Sequence, residues 1–213
     1  MKKYYILILM IALSAMLIKG CAGNEPTAVD VSTYEKIIEI FNEMENFKSE
    51  ATVQYISNKN SNTYRVIMTN KMSGEYRIEV LGPDNSAGNV TIFDGTTIAQ
   101  FNKRNEGRIF VLAREDMARS EILVTSFIRN YLDSNETSVS AGSFDDSKST
   151  ILEVAIPGDH PYLSNAKLWV DNEALVPVQL IIFDRDGGER VIVTYENFDY
   201  NVELEDNIFH TGA

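Results

Sequence analysis

Cys21 is the residue whose type and position most directly offer covalent chemistry, and it is the chain's only cysteine. It follows Leu17-Ile18-Lys19-Gly20, at the end of an apolar run from Tyr4 to Ile18 that is broken only by Ser14 and preceded by Lys2 and Lys3. A cysteine sulfur at a membrane surface can attack a lipid headgroup carbon, and a peptidase cutting just before it must close around a small residue. Ile18 and Gly20 meet those two needs, as in a bacterial lipobox. Lys19 departs from that pattern, which usually carries a small or uncharged residue there. A run of fifteen residues is short for a bilayer-spanning helix, which takes about 20, and suits the core of an export signal. The spacing therefore predicts a lipoprotein signal peptide over 1–20, a diacylglyceryl group on Cys21 and a polar tether over 21–29. Acyl chains gain about 0.8 kcal/mol per buried methylene, so two of them would anchor the protein durably. An uncleaved anchor helix with an incidental cysteine is the alternative, and either form faces outward from a membrane.

The other candidate groups do not assemble into a catalytic pattern. One cysteine allows neither an intrachain disulfide nor a cysteine-based zinc site. His160 and His210, the two histidines, lie 50 residues apart with no partner at metal-ligand spacing. Asp145-Asp146 and Asp184 with Asp186 are paired carboxylates in turn-rich stretches. Acid–base work needs a cleft that raises one of two pKa values, and a solvated turn does the opposite. No Gly-x-Ser-x-Gly elbow, phosphate loop or dinucleotide fingerprint appears, and Gly82-Pro83 and Gly187-Gly188 read as turns. The expectation is a noncatalytic protein with no cofactor and no metal.

Charge narrows the partners. The formal net charge is -12, and removing Lys2, Lys3 and Lys19 with the leader leaves 16 basic against 31 acidic residues, or -15. Such a surface repels nucleic acid and anionic headgroups and favours a basic partner. Hydrophobic residues make up 44% of the chain, enough for one real core after the leader.

Two kinds of element would position these groups. Ser32 with Glu35 forms a capping box ahead of Tyr34, Ile37, Ile38, Phe41, Met44 and Phe47, which recur at helical spacing. The period then becomes two. Strands are expected around Ala51–Tyr55, Tyr64–Met68, Tyr76–Val80, Val90–Phe93, Thr97–Phe101 and Arg108–Leu112, with Asp94-Gly95 as a two-residue hairpin turn. Met117, Ile122, Leu123, Phe127, Ile128, Tyr131 and Leu132 fit a second amphipathic helix. Strands resume at Ser138–Phe144, Ile151–Ile156, Ala166–Asp171, Val178–Phe183 and Val191–Phe198. Short spacings between strands favour an antiparallel meander. The fold class is α+β: a strongly curved antiparallel sheet, an incomplete barrel of about ten or eleven strands, with two helices on its concave side. One domain spans 30–213. Val90, Ile92, Leu168, Val170, Leu180 and Ile182 are candidates to line an apolar concavity, unless they simply fill it.

The order of elements is similar to that of the LolA-like lipoprotein-carrier superfamily. The likeness rests on a helix containing Phe47, Tyr76-Arg77-Ile78-Glu79-Val80, Phe93-Asp94-Gly95, Leu168-Trp169-Val170-Asp171, Val176-Pro177, Asp184–Gly188 and Tyr195-Glu196-Asn197-Phe198 running through Asn201 to Phe209. Within that superfamily the small anchored form resembles the GerS-type germination lipoproteins of spore-forming clostridia. Ile and Asn, 21 and 18, outnumber Ala at 14, a bias expected of an AT-rich genome. That resemblance implies a noncatalytic role in spore germination. The protein would bind and activate the N-acetylmuramoyl-L-alanine amidase that makes cortex muramic lactam. It transfers no interface residues. A lipid or acyl-chain binder of the carrier type, and a regulator of an extracytoplasmic sigma factor, are the competing functions on this fold. Open sheet edges also offer a route to a homodimer.

Overall fold

The computed structural model describes residues 28–102, 105–112 and 121–211. Cys21, the leader and Met117 lie outside the described residues. The elements in chain order are α1 (Val31–Glu43), β1 (Asn46–Ile56), β2 (Ser61–Lys71), β3 (Tyr76–Gly82), β4 (Asn89–Phe93), β5 (Thr97–Asn102), β6 (Asn105–Leu112), α2 (Val124–Asp133), β7 (Thr137–Phe144), β8 (Ser147–Ala155), β9 (Asn165–Asp171), β10 (Pro177–Phe183) and β11 (Glu189–Tyr200).

All eleven strands join one antiparallel sheet in the order β6-β5-β4-β3-β2-β1-β11-β10-β9-β8-β7. Every neighbour but one is the next strand in sequence. The exception is β1 with β11, which pair from Phe47 opposite Tyr200 to Tyr55 opposite Val191. The sheet is thus two meanders sewn together at the first and last strands. It is the curved, open antiparallel sheet that the alternation predicts, with two helices on one face.

Alternation decides what that face buries. Ala51 and Val53 on β1, Val66 and Met68 on β2, Leu168 and Val170 on β9, Leu180 and Ile182 on β10, and Val193 on β11 are all buried in one core. Ile37 and Phe41 of α1 and Val124, Phe127, Ile128 and Tyr131 of α2 close the same core from above. The two helices meet where the Tyr34 and Tyr131 hydroxyls share a hydrogen bond of 3.3 Å. Burying a large apolar side chain contributes about 1.5–3 kcal/mol, so this cluster dominates the stability of the fold.

Four local expectations change. The first helix is capped by Asp30 rather than by Ser32 with Glu35, because the Asp30 carboxylate accepts from the Ser32 amide (3.0 Å) and from the Ser32 and Thr33 hydroxyls. That helix stops at Glu43, and Phe47 belongs to β1, fully buried and stacked on Phe198 at 4.8 Å. The second helix begins at Val124, with Leu123 as an extended N-cap. At the Asp94 turn, Asp94 pairs with Thr97, so Gly95 (φ 95°) and Thr96 occupy the two central positions.

Candidate functional site

The open part of the core face is an apolar groove of about 440 Å3 between β1–β4 and the segment preceding α2. Val53 and Tyr55 come from β1, Tyr64 and Val66 from β2, Tyr76, Ile78 and Val80 from β3, and Ile122 closes one side. Each strand contributes every second residue, so the lining follows directly from the pleat. Tyr55 and Tyr64 meet edge to face at 6.1 Å, and Tyr76 leans on Phe93 at 5.5 Å. Burial pushes the Tyr76 phenol above its ordinary pKa; Tyr55 is pushed up by burial and then by the nearby Tyr64. Both stay protonated hydrogen-bond donors at neutral pH. Asn62 and Thr91 complete the lining, and an apolar wall with a few polar groups can hold a chain or an apolar side chain and orient a polar end.

The six residues expected to line a concavity are separated by the sheet. Leu168, Val170, Leu180 and Ile182 are all fully buried within the core, so they fill the concavity beneath the helices. Val90 and Ile92 point to the opposite face, where Phe209 covers them with Phe101, Leu204 and Ile208 packed alongside. The cause is parity: Thr91 and Phe93 of β4 face inward, opposite Ile78 and Tyr76 of β3, which turns Val90 and Ile92 outward. The chain after β11 crosses this outer face as a strap. The Thr211 hydroxyl ties its end down by donating to the Asp94 carboxylate at 2.7 Å, and Lys71 lies 5.2 Å from the Phe209 ring centre.

The carboxylate pairs are structural. Asp145 and Asp146 occupy the tight β7–β8 turn with φ of 44° and 67°, conformations that Asp tolerates better than most residues. Asp184 is not in a solvated turn: its side chain is buried, accepting from the Gly188 amide at 2.7 Å, the Asp186 amide at 3.0 Å and Arg190 Nε at 2.6 Å. The Gly188 amide and then the Arg190 guanidinium hold its pKa below the usual carboxylate value. Arg190 also donates to Asn58 at 2.7 Å, pinning the β10–β11 turn to the β1–β2 turn. His160 accepts from the Tyr162 amide at its Nδ1 (3.3 Å). His210 borders a separate outer-face hollow beside Ile208. Among the described residues no group of three or more metal-ligating side chains comes together, and no helix is long and apolar enough to cross a membrane.

Two further surfaces are the sheet's edges, β6 and β7. Across β7, Thr137 to Ser140 and Ser143 are exposed and the other three residues partly so. Thr137 to Phe144 contains no charged residue and no proline.

The chain is similar to solved structures of low sequence identity. An uncharacterized conserved protein from Thermus thermophilus superposes with a TM-score of 0.52 at 10% identity, covering 83% of this chain and 92% of its own. The GerS lipoprotein structure from Clostridioides difficile, solved with the CwlD amidase, gives 0.49 at 24% identity over 84% of this chain and 99% of that one. A LolA superfamily protein from Nitrosomonas europaea gives 0.41 at 15% identity over 84% and 96%. None of the curated proteins compared matches. The sequence itself matches the model of one family, described as sporulation protein YdcC-like, over residues 1–209. That match takes in almost the whole chain, which therefore belongs to the YdcC-like sporulation protein family.

Proposed function

We propose that this chain is an exported lipoprotein, tethered to a membrane through Cys21, that acts in spore germination without catalysing a reaction. It binds and activates the N-acetylmuramoyl-L-alanine amidase that prepares cortex peptidoglycan for muramic lactam formation. Membership of a sporulation family over residues 1–209 is the observation that carries this reading. The sequence resemblance to germination lipoproteins narrows it from sporulation to the cortex. In Clostridioides difficile the GerS lipoprotein is found in complex with the CwlD amidase, and an enzyme of that type is the partner proposed here. The physical character of the domain is compatible with recognition: its buried carboxylate is committed to Arg190 and two backbone amides, while strand edges and an apolar groove remain available. The test is isolation of the tagged full-length protein from sporulating cells, followed by titration with the purified amidase. Saturable binding that raises amidase turnover is expected; a purified amidase that neither binds nor gains activity overturns the proposal.

A second reading rests on the groove itself. Its apolar lining and volume of about 440 Å3 suit part of an acyl chain, as in a lipid binder of the carrier type. Native mass spectrometry of the purified protein separates the readings. A co-purifying lipid lost on Val66→Trp, which fills the groove, favours carriage; an empty groove that takes up no acyl probe rejects it.

A further inference from the structure

Edge strands expose unpaired backbone amides and carbonyls, and natural sheets usually blunt them with charge, proline or a bulge. β7 carries none of these devices. Its eight residues pair with β8 in continuous register from Thr137 opposite Val154 to Phe144 opposite Ser147, while among the described residues no strand borders its other side. Six of the eight are Ser, Thr, Ala or Gly, whose small side chains let a neighbouring backbone approach closely.

The segments that flank the edge are acidic, and Lys148 of β8 lies opposite Ser143. Asp133 and Glu136 precede the strand and Asp145-Asp146 follow it, with no Lys or Arg between 130 and 147. A neutral strand with acidic groups at both ends matches a partner segment with a neutral centre and basic ends, in either direction. It disfavours a second copy of this chain. Antiparallel self-pairing centred on Ser140 and Ala141 would bring Glu136 of one copy opposite Asp145 of the other, at both ends. Specificity for side chains is also present. Val139 and Leu132 are exposed apolar residues (37% and 38%). Val139 lies opposite the inward-facing Leu152, and three residues, 134–136, join the end of α2 to the start of β7. A strand added here would cover Val139 and Leu132 with the apolar residues at its alternate positions.

We propose that β7 is the recognition edge of this protein, accepting an extended, basic-flanked segment of a partner protein as a twelfth strand. This deepens the reading of the chain as an interaction protein, and its test is independent of which partner is the physiological one. The probe is a short peptide of alternating valine and threonine with two lysines at each end, titrated into the full-length protein in detergent micelles. Saturable binding is expected, with hydrogen-exchange protection appearing at amides 137–144. An otherwise identical peptide with glutamates at its ends is expected to bind about tenfold more weakly or worse. N-methylation of alternate residues of the lysine peptide should abolish binding while leaving the protein untouched, and Ser140→Pro should do the same from the protein's side. Equal affinity for the two peptides, protection confined to other strands, or a dimer whose amides 137–144 are already protected each overturns the proposal. If the peptide behaves as expected while the amidase does not bind, the partner assignment fails and the edge stands. If the amidase binds wild type and Ser140→Pro alike, the edge fails and the partner stands.

Discussion

Asn201 shows how much of this fold hangs on single polar side chains. Its Oδ1 accepts from the Glu45 amide at 2.7 Å and the Asn46 amide at 3.3 Å, its Nδ2 donates to the Glu43 carbonyl at 3.4 Å, and its own amide donates to the Asn46 carbonyl at 2.8 Å. It thereby terminates α1 and starts β1 from more than 150 residues away, at a φ of 50° that asparagine accepts. Asn201→Ala removes three side-chain hydrogen bonds and should cost about 1–3 kcal/mol in urea unfolding, without changing the far-UV spectrum of the folded state. A change below the error of the measurement would contradict that role. Asp184 supplies a pH dependence. Its folded-state pKa lies below the ordinary aspartate value, so its contribution is present in full above that ordinary value and is lost as pH falls through the folded pKa. Thermal melts taken from pH 6 downward should show Arg190→Met flattening the acid-side loss of stability relative to wild type, and parallel curves would contradict the assignment. Neither residue's role was legible locally. The sequence marks Asp184 as a turn carboxylate, and only the fold brings Arg190 and two amides around it.

At the scale of elements, alternation made the strands legible and helical spacing misled at one junction. Phe41, Met44 and Phe47 continue a three-residue step, which a helix and a strand entering the same core both satisfy at that point. Capture of the Glu45 and Asn46 amides by Asn201 decides for the strand. The parity of β4 was readable too, since Thr91 and Phe93 continue the inward series begun by Ile78 and Tyr76 across the hairpin. Reading each strand for its apolar residues alone placed Val90 and Ile92 on the wrong face, because a strap from the C-terminal segment makes the outer face apolar there as well. The tyrosines of the groove were visible as strand residues, but only pairing of β2 with β1 and β3 gathers them. α2 is the element on which both layers depend: Val124, Thr125, Ser126, Phe127, Ile128, Asn130 and Tyr131 are all buried. Phe127, 2% exposed and stacked on Tyr131 at 5.8 Å, would leave a cavity if truncated. Phe127→Ala should destabilise the domain by about 3–5 kcal/mol. A loss under about 1 kcal/mol in denaturant unfolding would mean that α2 is not seated in the core.

The proposed function joins an acidic chain, one curved sheet and a lipid anchor into a recognition device held at a surface. The sheet-and-helix plan followed from sequence because every strand pairing but one joins sequence neighbours, leaving the β1–β11 closure as the single long-range decision. The site did not follow, because edges and grooves are defined by what fails to cover them. Anchoring is testable directly: Cys21→Ala should move the protein from the membrane fraction to the soluble exported fraction, and unchanged membrane retention would favour an uncleaved leader. The central claim, activation of a cortex amidase, is tested most directly by the muramic lactam content of cortex peptidoglycan from spores lacking this protein. Near-complete loss of muramic lactam, restored by the wild-type gene, is the result expected. Cortex with a normal muramic lactam content would contradict the account.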